Sequence, residues 1–502
     1  MNTVSELISK ERIPAYVTHV TEALESSGFE AYIVGGCVRD LILGRTPKDW
    51  DVTTNATPEE IIPLFTKAVY ENTFGTVAVI VPHETEADVT YTIEVTPYRK
   101  ESGYSDSRHP DAVEFSKTID EDLSRRDFTI NAMAYSVSKN ILLDMHKGQE
   151  SLKDKVITTV GPAKDRFAED ALRMLRAVRF SAELGFAISH ETSEAIVSQA
   201  DSVTKLSNER IRDEFSKIIM SPSPALGITL LEKYGLLKHF LPELLEGLGC
   251  EQKGEHIYDV YNHLLHALQH AADKGWSLEI RLSALFHDIG KPRTRRWDGT
   301  KAGGKGKYTF YGHEVVGARM TQKILERLKY PKKTSELIVS LVRQHMFFSD
   351  TEAISLSAVR RVVAKVGKEN IWTLMNIREC DRVGMKKVEA PYRLRKYHAM
   401  IDQVLRDPIS VGQLAIDGQI LISELHMKPG PRMGWILHAL LEEVLDNPEK
   451  NTREYLDPRV AELNLLPDIE LKTLGEKAKE SKESLEEQEI SKLHAKHGVQ
   501  KK

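Results

Sequence analysis

At Ser151 the hydrophobic rhythm of this chain changes, and that change limits the folds open to it. Before it, short apolar runs alternate or end in glycine. AYIVGG at 31–36, WDVTT at 50–54, TVAVIVP at 76–82 and VTYTIEVTPY at 89–98 read as strands. An amphipathic helix at 14–27, with Ala15, Val17, Val20 and Leu24 on one side, accompanies them. After Ser151 the apolar spacing is helical to about residue 465, through EDALRMLRAVRFSAELGF, NERIRDEFSKIIM, HIYDVYNHLLHALQHAAD and LEIRLSALFHDIGK. The expected class is an α+β N-terminal head, a mixed sheet with helices, followed by a mainly α-helical remainder. The segment from about Pro467 is polar and charged, and reads as disordered or as a lone solvated helix.

A chain of 502 residues has room for three or four modules. No apolar run approaches the roughly 18–20 residues that span a bilayer, and the opening MNTVSELISKERIPAY is too polar for a signal peptide. Cys37, Cys250 and Cys380 are far apart with no CxxC spacing, which points to the reducing cytoplasm and away from disulfides or a zinc–cysteine site. With a net charge of −5, any contact with nucleic acid must come from local basic patches. Two stand out. One holds Lys155, Lys164, Arg166, Arg173 and Arg176; the other runs from Arg360 through Arg361, Lys365, Arg378, Lys386, Lys387 and Arg393 to Lys396. Either alone also reads as a solvated helix face.

The stretch GGCVRDLILGRTPKDWDVTT, residues 35–54, carries chemistry. Gly35 and Gly36 follow a strand and precede a helix, so backbone N–H groups can approach a polyphosphate. Arg39 can pair with a phosphate or with Asp40. If KDWDVTT is a strand, Asp49 and Asp51 point to one face, where two carboxylates repel unless cations sit between them. Two Mg²⁺ ions remove that conflict and make a phosphoryl-transfer site. Glu94 is a candidate third carboxylate, equally readable as a partner of Arg99.

This stretch resembles the signature of class II tRNA nucleotidyltransferases, the CCA-adding enzymes and bacterial poly(A) polymerases of the polymerase-β superfamily. Four further segments continue the resemblance: DLSRRDFTINAMAY at 122–135, EDALRMLRAVRF at 169–180, NERIRDEF at 208–215, and the pair PGPRMGWIL and NPEKNTREYL near the C-terminus. The first of these implies a ribose site with Arg126, Asp127 and Asn131, although the cluster alone also reads as structural salt bridges. The second implies base selection. Asp170 and Arg173, at i and i+3 on a helix, match the amino donor and ring-nitrogen acceptor that cytosine and adenine share, and mismatch uracil and guanine. Without its setting the pair is an ordinary surface ion pair. Arg176 and Arg179 follow on the same helix and join the nucleotide-binding set, and Glu209, Arg210 and Glu214 are implied to position it.

A second constellation lies between residues 256 and 381: His263, adjacent His287 and Asp288 in LFHDIGKP, then His313, His345 and Asp381. Imidazole nitrogens with carboxylates suit a divalent transition metal such as Mn, Fe, Co or Ni. The order resembles HD-domain metal-dependent phosphohydrolases, with His313 and His345 matching the extra pair of binuclear members. An inactive remnant is the alternative.

The resemblance implies a nucleotidyltransferase head at 1–150, a nucleotide-selecting neck and RNA-binding helices at 151–240, an HD domain at 241–390, a helical tRNA-binding segment at 391–465 and a charged tail at 466–502. It implies addition of C, C and A to the tRNA 3′ end from CTP and ATP with Mg²⁺, and hydrolysis of 2′-phosphates or 2′,3′-cyclic phosphates at the HD site. No membrane partner is expected, and the sequence leaves the oligomeric state open. Poly(A) polymerase, CC-adding and A-adding activities share these motifs. KESGYSDSRHPDAVEF at 100–115 resembles the loop that CCA-adding members use to switch from C to A. An RNA-binding HD phosphohydrolase with an inactive head, and a nucleotide-binding regulator without catalysis, are readings of a different class.

Overall fold

The computed structural model describes residues 8–70, 75–82, 89–102, 112–252, 257–298, 307–346, 354–384 and 391–476. Most of the loop at 100–115, basic residues Lys386 and Lys387, and the tail beyond 476 lie outside the described residues, as do the side chains of 391–394, Arg393 among them. The chain divides into two compact units, Met1–Phe240 and Leu241–Lys502.

The first unit is built on a seven-stranded mixed sheet. Its strands are β1 (Ala31–Val34), β2 (Asp51–Thr54), β3 (Ala68–Tyr70), β4 (Val77–Pro82) and β5 (Thr90–Pro97), with β8 (Ala134–Ser136) and β9 (Ile141–Leu143); a ribbon of β6 (Arg99–Ser102) and β7 (Ala112–Phe115) lies between them in sequence. The order is β3-β4-β5-β2-β1-β8-β9. Every neighbouring pair is antiparallel except β2 and β5, which are parallel with Asp51 opposite Glu94. Ile33, Val52, Ile93 and Val95 are fully buried, the inward set that period-two alternation provides. Helix α1 (Ala15–Ser26) buries Val17, Val20 and Leu24, three of the four residues placed on its apolar side.

The first unit then turns helical, and a short parallel pair, β10 (Val156–Ile157) and β11 (Ala187–Ile188), is all the strand that follows. Helix α2 (Gly36–Ile42) lies between β1 and β2, and the later helices include α3 (Ala163–Glu169), α4 (Leu172–Leu184) and α5 (Asn208–Met220). Nine of the 13 residues of α4 are buried, so it is the axis of this region. Gly185 ends it in a left-handed conformation, φ 74°. Ser207 caps α5 by accepting from the Arg210 amide.

Among its described residues the second unit is helical apart from one antiparallel ribbon, β12 (Arg296–Asp298) with β13 (Lys307–Thr309). Its helices include α6 (Val260–Asp273), α7 (Leu278–Phe286), α8 (Lys291–Thr294), α9 (His313–Arg327), α10 (Lys332–Gln344), α11 (Leu356–Val366) and α12 (Ile371–Asp381). Ala267, Ala271, Ala284, Leu341, Val363 and Leu374 from these helices share one apolar core. The helical part runs further than expected, through Asp468–Glu476. Leu471 is fully buried with Leu440 and Leu463, and that burial holds the last helix despite its polar composition.

Gly290 marks the tightest crossing in this unit. A Cβ there would lie 2.2 Å from the His313 carbonyl oxygen and 2.6 Å from the Gly317 nitrogen, both backbone atoms of α9. Neither can swing aside, so α9 itself must shift. Gly290→Ala is therefore expected to destabilise the fold by about 1–3 kcal/mol, the usual cost of overpacking, seen as a lowered midpoint in thermal unfolding. An unchanged midpoint would show that α9 is free to move.

Candidate active sites in the two units

In the first unit, strand β1 ends at the two glycines. Gly35 has φ +83°, and a Cβ on it would lie 3.0 Å from Arg126 Nη1 and 3.7 Å from Asp51 Oδ2. Only glycine satisfies both the left-handed backbone and this close approach. A cavity of about 680 Å³ opens here, lined by Gly35, Gly36, Arg39, Asp49, Asp51, Arg126, Asp127, Asn131, Arg176 and Arg179, with Lys48 and Lys217 at its walls. Ten of the sequence-selected residues thus meet in one place, drawn from positions 35 to 179.

Asp49 and Asp51 reach the cavity by a different route from the one expected. The strand begins only at Asp51; Asp49 sits in a bend before it, and Trp50, 6% exposed, anchors the peptide between them. Both carboxylates line the cavity, beside a wall of guanidinium groups. Two carboxylates facing an open, cation-lined cavity are a donor set that fits hard divalent ions. Among the described residues no third carboxylate or imidazole gathers tightly with them. Glu94 occupies the register position beside Asp51 on β5.

The arginines are held in place by fixed acceptors. Arg39 donates to Asp40 at 2.9 Å and to Asn131 Oδ1 at 3.0 Å, so it is both cavity wall and partner of Asp40. Arg126 pairs with Asp122 at 3.3 Å. Arg176 donates to Asp127 at 2.6 Å. Burial works against the charge of Asp127, yet Arg176 and Arg173 hold its carboxyl below the usual range. Arg179 reaches Glu214 at 3.2 Å and lies 4.2 Å from the centre of the Phe180 ring.

Asp170 and Arg173 do not line this cavity and do not face one another. The expected continuous helix breaks at Asp170, whose backbone is extended (φ −147°, ψ 107°) between α3 and α4. Its side chain accepts from the Leu172 amide at 3.0 Å and from Arg210 Nη2 at 2.7 Å. An aspartate preceding a helix takes the orphan N–H groups of the first turn, and this local bond overrides the i,i+3 spacing. Arg173 pairs with Glu169 at 2.5 Å and donates to the Arg125 carbonyl at 3.1 Å. Several arginines of the two basic patches are neutralised inside the protein as well: Arg166 pairs with Glu169, Arg360 with Asp407 at 2.7 Å, and Arg361 with Glu442 and Asp446.

In the second unit all six histidines and aspartates of the HD pattern converge. His263, His287, Asp288 and Asp381 place one ligand atom each within 4.8 Å of one another, and Asp288, His313 and His345 form a second such group. Asp288 belongs to both, one oxygen towards each. His263 comes from the first turn of α6, His287 and His345 from the C-terminal ends of α7 and α10, His313 from the start of α9, and Asp381 from the end of α12.

Proton bookkeeping shows what this cluster wants. Nδ1 of His287, His313 and His345 lies 2.8, 2.7 and 2.7 Å from the carbonyls of Ala284, Phe310 and Val342. Only a protonated Nδ1 can donate there, so each neutral ring presents a bare lone pair at Nε2. Two of those lone pairs face each other, His313 and His345 Nε2 being 3.3 Å apart, and His287 Nε2 lies 3.1 Å from Nε2 of His263. Both Asp288 oxygens are buried without a well-formed hydrogen bond, although Lys291 Nζ comes within 2.5 Å and His313 Nε2 within 3.1 Å. Crowded lone pairs in a dry site need a cation. Without a metal a proton must serve. Burial would lower the pKa of His287, but Asp288 and Asp381 push it up to about 10, while burial and the charge of His287 push His263 down to about 3. Imidazoles with oriented Nδ1 groups and bridging carboxylate fit a pair of divalent transition ions.

Lys291, buried beside Asp288 and donating to Gln252 Oε1 at 2.6 Å, was not singled out by the sequence reading. Its position three residues after Asp288 in HDIGK was the available signal.

Comparison with known proteins finds matching domains in both units. Residues 31–158 match the poly(A) polymerase head domain, 185–248 the probable RNA and SrmB-binding site of polymerase A, and 260–383 the HD domain. A CC-adding tRNA nucleotidyltransferase of Thermus thermophilus is 32% identical over 425 residues, 82% of this chain and 89% of its own. The crystal structure of the Bacillus stearothermophilus CCA-adding enzyme in complex with CTP superposes with a TM-score of 0.65 at 27% identity, covering 92% of this chain and 98% of that one. The CCA-adding enzyme of Lactobacillus delbrueckii subsp. bulgaricus is 35% identical over 446 residues, 86% of this chain and 94% of its own, and on that breadth of likeness the chain belongs to the family of CCA-adding enzymes.

Proposed function

We propose that this protein adds C, C and A in turn to the 3′ end of tRNA in the cytoplasm, using CTP and ATP and no nucleic-acid template. The observation that carries the proposal is the first-unit cavity, where the glycine turn, the aspartates and four arginines share one opening. Asp49 and Asp51 are the residues that would hold Mg²⁺. Two such ions supply charge neutralisation for the triphosphate and a lowered pKa for the attacking hydroxyl. Gly35, Gly36 and Arg39 contact the triphosphate, and Arg126, Asp127 and Asn131 lie where the ribose is read. The RNA 3′ oxygen bonds to the α-phosphorus, the bond from that phosphorus to the β-phosphate bridge breaks, and pyrophosphate leaves.

Base selection by Asp170 and Arg173 then requires an exchange of partners. Arg210 now occupies Asp170, and Glu169 occupies Arg173. A cytosine or adenine edge takes their place when it offers the amino donor and the ring-nitrogen acceptor together. The first unit divides at about residue 150 into a head and a selecting neck, and the helices of 391–465 serve tRNA.

The deciding experiment offers the protein tRNA lacking its last three nucleotides. Extension by two with CTP, and by three and no more with CTP and ATP, is expected. Stopping at two with both nucleotides makes it a CC-adding enzyme, as the Thermus relative is named; a long tail from ATP makes it a poly(A) polymerase. Asp49→Asn and Asp51→Asn should each lower incorporation about 10²–10³-fold, the usual loss when one electrostatic stabiliser is removed, with thermal stability retained. Asp170→Ala should lower kcat/KM for CTP about 10–100-fold and narrow its advantage over UTP, as loss of one bidentate base contact does; an unchanged ratio of CTP to UTP use excludes Asp170 as a base reader.

At the second site we propose hydrolysis of 2′-phosphates or 2′,3′-cyclic phosphates, with a pair of divalent transition ions supplying a water of lowered pKa. His263, His287, Asp288 and Asp381 would hold one ion, and Asp288, His313 and His345 the other. Adding Mn²⁺, Co²⁺ or Ni²⁺ to chelator-treated protein at about 100 times its Kd should stabilise the fold by about 2.7 kcal/mol, as linkage requires. Asp288→Asn should abolish that rise and the hydrolysis of 2′,3′-cyclic CMP while nucleotide addition persists. A metal-induced rise that survives in Asp288→Asn would place the ion elsewhere.

A further inference from the structure

Between the ligands Asp288 and His313 the chain leaves the metal cluster, runs out along β12, returns along β13 and comes back. Both ends of this excursion are pinned at the cluster. At the outgoing end Lys291 touches Asp288 at 2.5 Å. At the returning end the Phe310 carbonyl accepts from His313 Nδ1 at 2.7 Å, and the Phe310 ring lies 5.8 Å from Lys291 Nζ.

The ribbon presents a surface unlike the rest of the unit. Trp297 is 54% exposed, although a tryptophan of a stable fold is ordinarily covered. It sits opposite Tyr308 in register, the rings 4.9 Å apart and nearly edge to face. The Arg295 guanidinium stacks 3.6 Å from the centre of the Tyr308 ring, and Arg296 Nη1 donates to the Arg295 carbonyl at 2.8 Å. Arg295 and Arg296 have no acidic partner among the described residues. Their neighbour Arg293 is tied to Glu246 by two bonds of 2.8 and 2.6 Å, and Arg453 and Arg459 elsewhere in the unit are likewise paired. A tryptophan, a tyrosine and two guanidiniums not neutralised by a carboxylate, on one short ribbon, match the needs of single-stranded nucleic acid: aromatic faces for bases and cations for phosphates. An apolar protein partner would leave the two arginines uncompensated.

We infer that the β12–β13 ribbon is a landing platform for the single-stranded 3′ end of an RNA whose terminal phosphoester lies at the metal cluster. Trp297 and Tyr308 stack on the last bases, and Arg295 and Arg296 neutralise the phosphates between them. This rests on reading the cluster as a phosphoesterase site, and it makes RNA ends, rather than free nucleotides, the preferred substrate.

The test compares two probes on the metal-loaded full chain: 2′,3′-cyclic CMP, and a short oligoribonucleotide ending in the same cyclic phosphate. Trp297→Ala and the double variant Arg295→Ala/Arg296→Ala should lower kcat/KM for the oligonucleotide about 5–150-fold, the range for loss of one stacked base. The mononucleotide should be cleaved within about twofold of the parent rate, and Trp297→Phe, which keeps a stacking face, should recover most of the loss. Equal loss on both probes, or no loss on either, overturns the platform. If the parent protein cleaves neither probe, the phosphoesterase reading fails by itself. The platform is then judged by photocrosslinking of the oligonucleotide carrying 4-thiouridine near its 3′ end: adducts on the peptide bearing Trp297 uphold it, and adducts confined to other peptides overturn it.

Discussion

The bond between Asp127 and Arg176 joins the two halves of the first unit. Asp127 belongs to the bend that leads into β8 of the sheet, Arg176 to the axial helix α4. The carboxylate also accepts from the Phe128 amide at 2.8 Å, and the Asp127 carbonyl accepts from Val160 N at 3.1 Å. A buried carboxylate paired with a half-buried guanidinium is costly to break once formed, because the carboxylate is left without its counter-charge. The pair therefore fixes where α4 sits against the sheet more sharply than apolar contact alone. Everything that α4 brings to the cavity depends on that placement, Arg179 and the ring of Phe180 included. The same logic repeats around the cavity. Arg39, Arg126, Arg176 and Arg179, which face it, are each also bonded to an acidic or amide oxygen, so cations can be concentrated there without driving one another apart.

Much of this was legible in the sequence because it followed from order and spacing. The strand into Gly35 and Gly36, the DxD after it and the RRDxxxN segment were separable motifs, and the fold joins them in one cavity. The six histidines and aspartates of the HD pattern were legible for the same reason: residue types that rarely recur in that order belong together when they do, and here they converge. What was not legible turned on local competition. Asp170 and Arg173 looked like one helical pair because the apolar period runs through them. An aspartate that can cap the next helix breaks the period instead, and its charge then goes to Arg210, 40 residues away, which no local pattern reveals. The final helix was misjudged by composition, since one buried leucine, Leu471, outweighed a polar sequence.

The basic patches teach a related lesson. Counting lysines and arginines along a segment measures supply and says nothing of demand. Arg360, Arg361, Arg166 and Arg173 all lie in runs that look cationic, and all are spent on carboxylates from other parts of the same unit. Arg295 and Arg296, with no carboxylate partner among the described residues, sit where a run was not counted, beside Trp297 and Tyr308.

The two metal-type sites solve opposite problems with the same backbone rule. At the first, hard carboxylates face an open cavity whose walls carry cationic side chains. At the second, imidazoles meet in a dry core, and each must be turned so that its lone pair points inward. Helix ends do this turning. The last carbonyls of a helix have no amide partner within it. His287 and His345 follow α7 and α10 directly, so the ring of each donates Nδ1–H to the carbonyl three residues back, at Ala284 and Val342. One bond satisfies an orphan carbonyl and fixes the tautomer that exposes Nε2. A histidine just past the end of a buried helix is thus oriented by the helix itself, before any ion arrives. That is why ligands contributed by separate helices converge with their lone pairs already facing one another.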